Sequence, residues 1–92
     1  MEEVIGKKII LPEVGRVYRH YKGNYYIVEG IATHSETGEP LVVYRPLYES
    51  TTSLYARPAE MFFEAIPEGK DNITGQMTRF ALVEKILRNY WE

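Results

Sequence analysis

The sequence predicts a mainly β domain of about five short antiparallel strands, arranged as a small barrel or sandwich and followed by a C-terminal amphipathic helix. Three observations support this prediction. Runs of β-branched and aromatic residues alternate with turn residues between positions 16 and 66, at a spacing of roughly 8–12 residues. After position 77 the apolar residues recur with helical spacing instead. The chain has 92 residues, which suffices for one hydrophobic core, so we expect residues 1–92 to form a single domain.

The first two predicted strands form a hairpin. Residues 16–22 end at Gly23 and Asn24, both of which accept the positive φ that a two-residue hairpin turn requires. The second run, residues 25–34, contains Gly30, which predicts a bulge or a bend in that strand.

The third predicted strand follows a turn at residues 36–40, where Gly38 supplies the permissive backbone position. This strand covers residues 41–48. Its Pro46 lacks an N–H group for a sheet ladder, which indicates an edge or a strand end at that point.

Two more strands are predicted before the helix. The polar segment "ESTTS" is loop-like, and "LYARP" (54–58) follows it as the fourth strand. Pro58 is typical of the first position of a helix, so a single helical turn is predicted from there to Met61. The fifth strand is "FFEAI" (62–66), closed by the turn residues "PEGKDN".

The C-terminal helix is predicted over residues 78–91. Phe80, Val83, Leu87 and Tyr90 repeat at helical spacing, whereas the charged residues of this segment fall mostly elsewhere around the helix. We expect the apolar stripe to cover an open end or face of the β domain. The alternative is a helix that binds a partner or joins two copies of the chain, so both a monomer and a homodimer stay open.

Side-chain alternation along the strands predicts two faces. Two-residue turns would pair Lys22 with Tyr25 and Glu36 with Glu39, which fixes the side of each residue. The predicted core face is the one richer in aliphatic side chains, namely Val17, Arg19, Tyr21, Tyr26, Val28, Ala32, His34, Leu41, Val43, Arg45 and Leu47. The opposite face is predicted to be an exposed aromatic surface around His20, formed by Tyr18, Tyr25, Tyr44 and Tyr48. A bulge at Gly30 would exchange part of these sets.

Composition limits the classes of function. Cysteine is absent, which removes disulfides, thiolate metal sites and cysteine nucleophiles. The net charge is −2, so no overall field draws the protein to nucleic acid or to anionic membranes. The start "MEEVIGKKIILPEVG" carries neither a secretory signal nor a membrane span, so we expect a cytoplasmic protein with no membrane partner. No glycine-rich phosphate loop or dinucleotide fingerprint occurs, and we expect no cofactor.

Six short motifs carry a resemblance to a known family. They occur in the order "YRHYKG" (18–23), "HSET" (34–37), "VVY" (42–44), "LY" (47–48), "RP" (57–58) and "MF" (61–62). Over residues 15–66 the chain closely resembles the family called domain of unknown function 1653, a group of short bacterial proteins. The resemblance implies a small SH3-like β-barrel, and the family's name implies that no activity is established.

This chain departs from the family pattern in two places. Tyr55 and Ala56 stand where the family usually has Trp-Val before Arg-Pro, so no role of that tryptophan carries over. The N-terminal segment and the predicted helix lie outside the resemblance.

Catalytic and metal sites receive little support from the sequence. His20, His34 and Glu36 are candidate metal ligands, but the predicted register places the two histidines on opposite faces. Ser35 lies between His34 and Glu36, yet neighbours along a strand point in different directions and do not form a triad. We therefore predict no metal site and no catalytic residue. The alternative is a small enzyme that uses His20 or His34 as a general acid or base with Glu36.

The leading hypothesis is a non-enzymatic recognition module that binds through an aromatic-rich face. Tyrosines interleaved with basic residues suit a peptide or protein, a small anionic ligand, or nucleic acid, which the net charge disfavours. The candidate binding residues are Tyr18, Arg19, His20, Lys22, His34, Glu36, Tyr44, Tyr48 and Arg57.

Overall fold

One antiparallel sheet of five strands dominates the computed structural model, which describes residues 8–83. The strands are β1 (Val17–His20), β2 (Tyr25–Thr33), β3 (Pro40–Pro46), β4 (Tyr55–Pro58) and β5 (Phe80–Leu82), and a 3-10 turn (Ala59–Met61) follows β4. Their order across the sheet is β4-β3-β2-β1-β5. The mainly β prediction, the first four strands and the helical turn after Pro58 are therefore confirmed. Within residues 8–83, no helix has the length and apolarity needed to cross a membrane.

The prediction of a C-terminal helix is wrong where the structure describes that segment. Phe80–Leu82 form β5, which pairs antiparallel with β1. The side chains of Phe80 and Leu82 pack on the core while Ala81 separates them, so the alternation fits a strand as well as it fits the start of a helix. Residues 84–92 of the predicted helix lie outside the described residues.

The predicted fifth strand at residues 62–66 is also wrong, since only Ala65 makes a β-bridge there, with Thr78. Phe62 and Phe63 explain the difference. Their rings both pack against Tyr18, at centroid distances of 5.4 and 5.9 Å. Consecutive residues of a strand point to opposite faces, so this arrangement excludes a regular strand at that position.

The first hairpin has a longer turn than predicted. The N–H group of His20 donates to the Asn24 carbonyl (2.8 Å), and Gly23 N–H donates to the His20 carbonyl (2.8 Å). Tyr18 therefore faces Tyr26, whereas the two-residue turn would pair it with Glu29. A register difference of an odd number of positions exchanges the two faces of a strand, so Tyr18 lies in the core rather than on the surface.

The predicted bulge at Gly30 is confirmed, because the register between β2 and β3 shifts between Val28 and Gly30. Beyond the bulge the faces are exchanged again. Val42 and Tyr44 are consequently buried, and the prediction that Val43 and Arg45 belong to the core face is wrong.

Aromatic side chains fill the core between the two edges of the sheet. The buried residues are Tyr18, Tyr21, Val28, Val42, Tyr44, Ala59, Phe62 and Phe80. Phe62 follows the 3-10 turn after β4, Phe80 lies on β5, and their rings stack with centroids 4.1 Å apart. The sheet is curved, so that side chains at its two edges make contact, as in the Phe62–Phe80 stack and in Arg57 of β4 against Phe80 of β5. The edge strands β4 and β5 themselves do not pair. The prediction of a closed SH3-like barrel is therefore wrong, and the sheet is open.

Candidate ligand-binding site

Five aromatic side chains meet at one end of the curled sheet, and we call them the aromatic cluster: Tyr26, Tyr44, Tyr48, Tyr55 and Phe80. The Tyr44 ring lies 5.3 Å from the rings of both Tyr26 and Phe80, and it stacks on Tyr55 at 5.5 Å. Tyr44 and Tyr55 are direct partners across β3 and β4. Directly opposed residues of an antiparallel pair hold their side chains close together, so the strand register itself creates this stack.

Arg57 joins the aromatic cluster from β4. It lies two positions after Tyr55 and so projects to the same face. Its Nε–H donates to the Tyr44 hydroxyl (3.3 Å), and its guanidinium carbon lies 5.8 Å from the centre of the Phe80 ring. Among residues 8–83, no carboxylate lies within salt-bridge distance of this guanidinium.

His20, the last residue of β1, borders the aromatic cluster through its contact with Phe80. Its ring meets the edge of Phe80 at 5.0 Å and stacks on Tyr21 at 4.5 Å. Burial is the main cause that lowers the pKa of His20 to about 4, and the positive charges of Arg57, Arg79 and Lys22 contribute to the same shift in that order of effect. The imidazole is therefore neutral at pH 7. Because Nδ1 accepts the Lys22 N–H (3.1 Å), the ring proton resides on Nε2, which is a hydrogen-bond donor.

The tyrosine hydroxyls form the outer rim of the aromatic cluster. The hydroxyls of Tyr26 and Tyr48 lie 3.0 Å apart in a solvent-exposed hydrogen bond. Burial, and next the hydrogen bond with Tyr48, raise the pKa of Tyr26. Hydrogen bonds from Thr52, then Tyr48 and Ser50, lower the pKa of Tyr55. Tyr48 has 39% of its surface exposed, so a ligand can reach this rim.

The remaining candidate residues lie elsewhere in the sheet. Tyr18 is buried, and its hydroxyl accepts the Glu13 N–H (2.9 Å). Arg19 donates from Nε to the Gln76 side-chain carbonyl (3.3 Å), and Lys22 is exposed in the β1–β2 turn. Of the nine candidates, the structure brings His20, Tyr44, Tyr48 and Arg57 together.

His34 and Glu36 lie in the β2–β3 turn, at the opposite end of β2 from His20. The Nδ1 atom of His34 accepts the N–H groups of Glu36 (3.1 Å) and Thr37 (3.3 Å), which stabilises the turn. The structure does not bring Glu36 to His20, and Glu36 contacts His34 through its backbone N–H group. Among the described residues, no group of three His, Asp or Glu side chains could hold a metal ion.

Three members of the aromatic cluster were missed as site residues, namely Tyr26, Tyr55 and Phe80. For Tyr55 the signal was present in the sequence, because the spacing Tyr-Ala-Arg in a strand places Tyr55 and Arg57 on one face. For Phe80 the sequence carries no such signal, because the apolar spacing of its segment also fits a helix.

Comparisons with known proteins point to one family. The family model described as "Protein of unknown function (DUF1653)" matches residues 16–82. A solved structure of a protein of that family from Bordetella bronchiseptica is 37% identical, with a TM-score of 0.60. The alignment covers 73% of this chain and 82% of that chain. No curated protein matches this chain. The matched region includes β5, so it extends beyond the motifs found by sequence alone.

Proposed function

The chain belongs to the DUF1653 family, and we propose that it is a non-catalytic recognition module that binds its ligand at the aromatic cluster. The observation that carries this proposal is the placement of Arg57. Its guanidinium contacts Tyr44 and Phe80, the buried members of a cluster whose other tyrosines are partly exposed, and no carboxylate neutralises it among the described residues. Aromatic rings with hydroxyl rims and a nearby arginine are the side chains enriched where proteins bind partners.

Exposure within the aromatic cluster supports a binding role. Phe80 and Tyr44 are buried and hold the sheet together, whereas Tyr26 and Tyr55 are half-buried and Tyr48 is exposed. Half-burial leaves part of each of these rings open to solvent, where a ligand can reach it. An amphipathic ring at the surface offers both an apolar face and a polar hydroxyl to a ligand.

The family motifs support the same location. The motifs "YRHYKG", "VVY", "LY" and "RP" are separated in the chain, and they supply His20, Tyr44, Tyr48 and Arg57 respectively. These four residues meet around Phe80 and Tyr26. Tyr55, which stands where the family usually has tryptophan, retains an aromatic ring stacked on Tyr44.

Catalysis is the less favoured alternative. A general base needs a pKa near the working pH and a carboxylate or nucleophile within hydrogen-bond reach. His20 has positive neighbours, a pKa of about 4, and an Nδ1 atom engaged by the backbone. His34 has its Nδ1 atom engaged in the same manner.

The proposal is tested by NMR shift mapping of the labelled protein with two neutral aromatic probes, adenosine and N-acetyl-tryptophanamide. We expect shifts at the backbone amides of Tyr26, Tyr48 and Tyr55. Tyr48→Ala should weaken probe binding by about tenfold, because one aromatic stacking partner contributes about 1–3 kcal/mol. Tyr25→Ala is the matched control, since Tyr25 is also exposed but makes no ring contact with the cluster among the described residues. Equal affinities of wild type and Tyr48→Ala would contradict the proposal.

A further inference from the structure

We infer that the ligand of the aromatic cluster carries one anionic group, a carboxylate or a phosphate, bound between the Arg57 guanidinium and the Nε2–H of His20. We call this position the anion subsite. The inference rests on the proposed function and names the chemical class of the ligand.

Arg57 differs from the other described arginines in its partners. Three of them form ion pairs with glutamates. The pairs are Arg16–Glu13, Arg45–Glu29 and Arg79–Glu64. Arg19 contacts the Gln76 amide. Arg57 instead contacts a neutral hydroxyl and an aromatic ring, and it is half-buried. Since Tyr44 occupies only Nε, the two terminal amino groups remain for a bidentate contact with an anion.

The charged groups that act on the pKa of His20 are all positive. Arg57 approaches from β4, Arg79 from the segment before β5, and Lys22 from the β1–β2 turn. Glu64 neutralises Arg79, and Lys22 is exposed to solvent, so Arg57 is the half-buried one of these three cations that has no carboxylate partner among the described residues. A neutral histidine beside a cation donates a hydrogen bond, and an anion accepts it.

Phe80 connects the anion subsite to the tyrosine rim. Its ring contacts His20 at 5.0 Å and Tyr26 at 5.7 Å, and the Arg57 guanidinium carbon lies 5.8 Å from its centre. Tyr55 lies two positions before Arg57 on β4, and its ring centre is 6.1 Å from that of Tyr26, so a ligand whose anion contacts Arg57 can reach both half-buried tyrosines with its adjacent atoms. This geometry suits a planar group that carries the anion. The chain's net charge of −2 disfavours a polyanion, which agrees with a ligand that carries a single anionic group.

Four probes test the inference by NMR titration at pH 7: benzoate, phenyl phosphate, inorganic phosphate and the neutral benzyl alcohol. We expect benzoate or phenyl phosphate to bind about tenfold more tightly than benzyl alcohol, because a hydrogen bond to a charged group contributes about 1.5–3 kcal/mol. The resonances of His20 and of the Arg57 Nε–H should shift with either anion. The two anionic aromatic probes distinguish a carboxylate ligand from a phosphate ligand, and inorganic phosphate tests the subsite without a ring.

Two variants localise the effect. Arg57→Gln should reduce the affinity for the anionic probes to that for benzyl alcohol. Arg45→Gln should leave it unchanged, since Arg45 pairs with Glu29 on the exposed face. Salt dependence of the wild type gives a second readout that needs no variant. Raising NaCl from about 0.05 to about 0.5 M should weaken benzoate binding and leave benzyl alcohol binding unchanged.

The outcomes separate the two proposals. Equal affinities for benzoate, phenyl phosphate and benzyl alcohol, with binding still dependent on Tyr48, would overturn the anion subsite and leave the proposed function standing. Full anion affinity in Arg57→Gln would also overturn the subsite. If neither these four probes nor adenosine and N-acetyl-tryptophanamide shift any residue of the aromatic cluster, both proposals fail.

Discussion

Tyr18 and Tyr25 lie on neighbouring strands of one hairpin and have opposite environments. Tyr18 is 3% exposed, and its hydroxyl is satisfied by the Glu13 N–H, whereas Tyr25 is 44% exposed. A buried hydroxyl without a partner would cost about 1–3 kcal/mol, so the hydrogen bond to Glu13 is what allows a tyrosine at position 18. The role of each tyrosine in this chain follows from the face on which the register places it.

His20 makes folding stability depend on pH. In the unfolded chain its pKa is the ordinary 6.5, and in the folded protein it is about 4. Between these values the unfolded state binds more protons than the folded state, so the free energy of unfolding falls as pH decreases from 6.5 to 4. The stabilising contribution of the neutral His20 is therefore fully present above pH 6.5. We expect a loss of about 1–2 kcal/mol, because solvent contact with the ring reduces the effect of its neighbours.

Urea denaturation of wild type and His20→Gln across this pH range measures the effect, and the difference between the two proteins removes the contribution of the carboxylates. The stability of His20→Gln should vary less with pH. Parallel curves for the two proteins, or a histidine NMR midpoint near 6.5 for His20, would contradict the prediction.

At the scale of the elements, the sequence specified where most strands begin and end but not how they pair. The turn at Gly23 and the bulge at Gly30 could be predicted, because a glycine among strand residues usually marks either a turn or a bulge. It did not determine the length of the first turn, since Gly23 is compatible with several turn types. Because the first turn is longer than two residues, the two faces of β1 are opposite to those predicted. The bulge has the same effect on the faces of β3. β5 was missed because Phe80-Ala81-Leu82 fits two periodicities and its partner strand is distant in sequence.

Gly23 and Gly30 should respond differently to substitution by alanine. Gly23 has φ of 111°, and an added Cβ would lie 3.4 Å from the Ile73 side chain. The φ of Gly30 lies outside the left-handed region, and no atom lies within 4 Å of an added Cβ at this position. We expect Gly23→Ala to lower the free energy of unfolding by about 1–2 kcal/mol and Gly30→Ala to leave it nearly unchanged. Chemical denaturation checks both, and equal effects of the two substitutions would disprove the explanation of the turn.

At the scale of the whole molecule, the curl of the sheet creates the site. His20, Tyr44, Tyr48 and Arg57 were predicted as binding residues from the sequence, because aromatic and basic side chains in strands suit ligand contact. Their convergence was not predictable from any single strand. It depends on the Phe62–Phe80 stack, which brings the two edges of an open sheet together without a shared ladder. Tyr26 was assigned only to the core, although its half-buried ring serves both the core and the rim.

Phe80 therefore links the stability of the fold to ligand binding. Phe80→Ala should lower the free energy of unfolding by about 3–5 kcal/mol, because it leaves a cavity at the closure of the sheet. Phe80→Leu keeps most of the volume and should cost less, so that the protein folds. Met77→Ala is the control, since Met77 is 83% exposed and lies in the same segment of the chain.

In Phe80→Leu the ring that borders both His20 and Arg57 is lost while the fold persists. Benzoate affinity should then fall together with stability, and both are measurable on one sample by NMR titration and urea denaturation. A Phe80→Leu protein that loses stability but binds benzoate as the wild type does would mean that Phe80 closes the sheet without shaping the anion subsite. Unchanged stability would mean that the stack with Phe62 is not what holds the edges together. We expect Phe80→Leu to lose both stability and benzoate affinity. The Phe80 ring packs between β4 and β5 through its stack with Phe62, and the same ring contacts His20 and Arg57, the two donors to the anion.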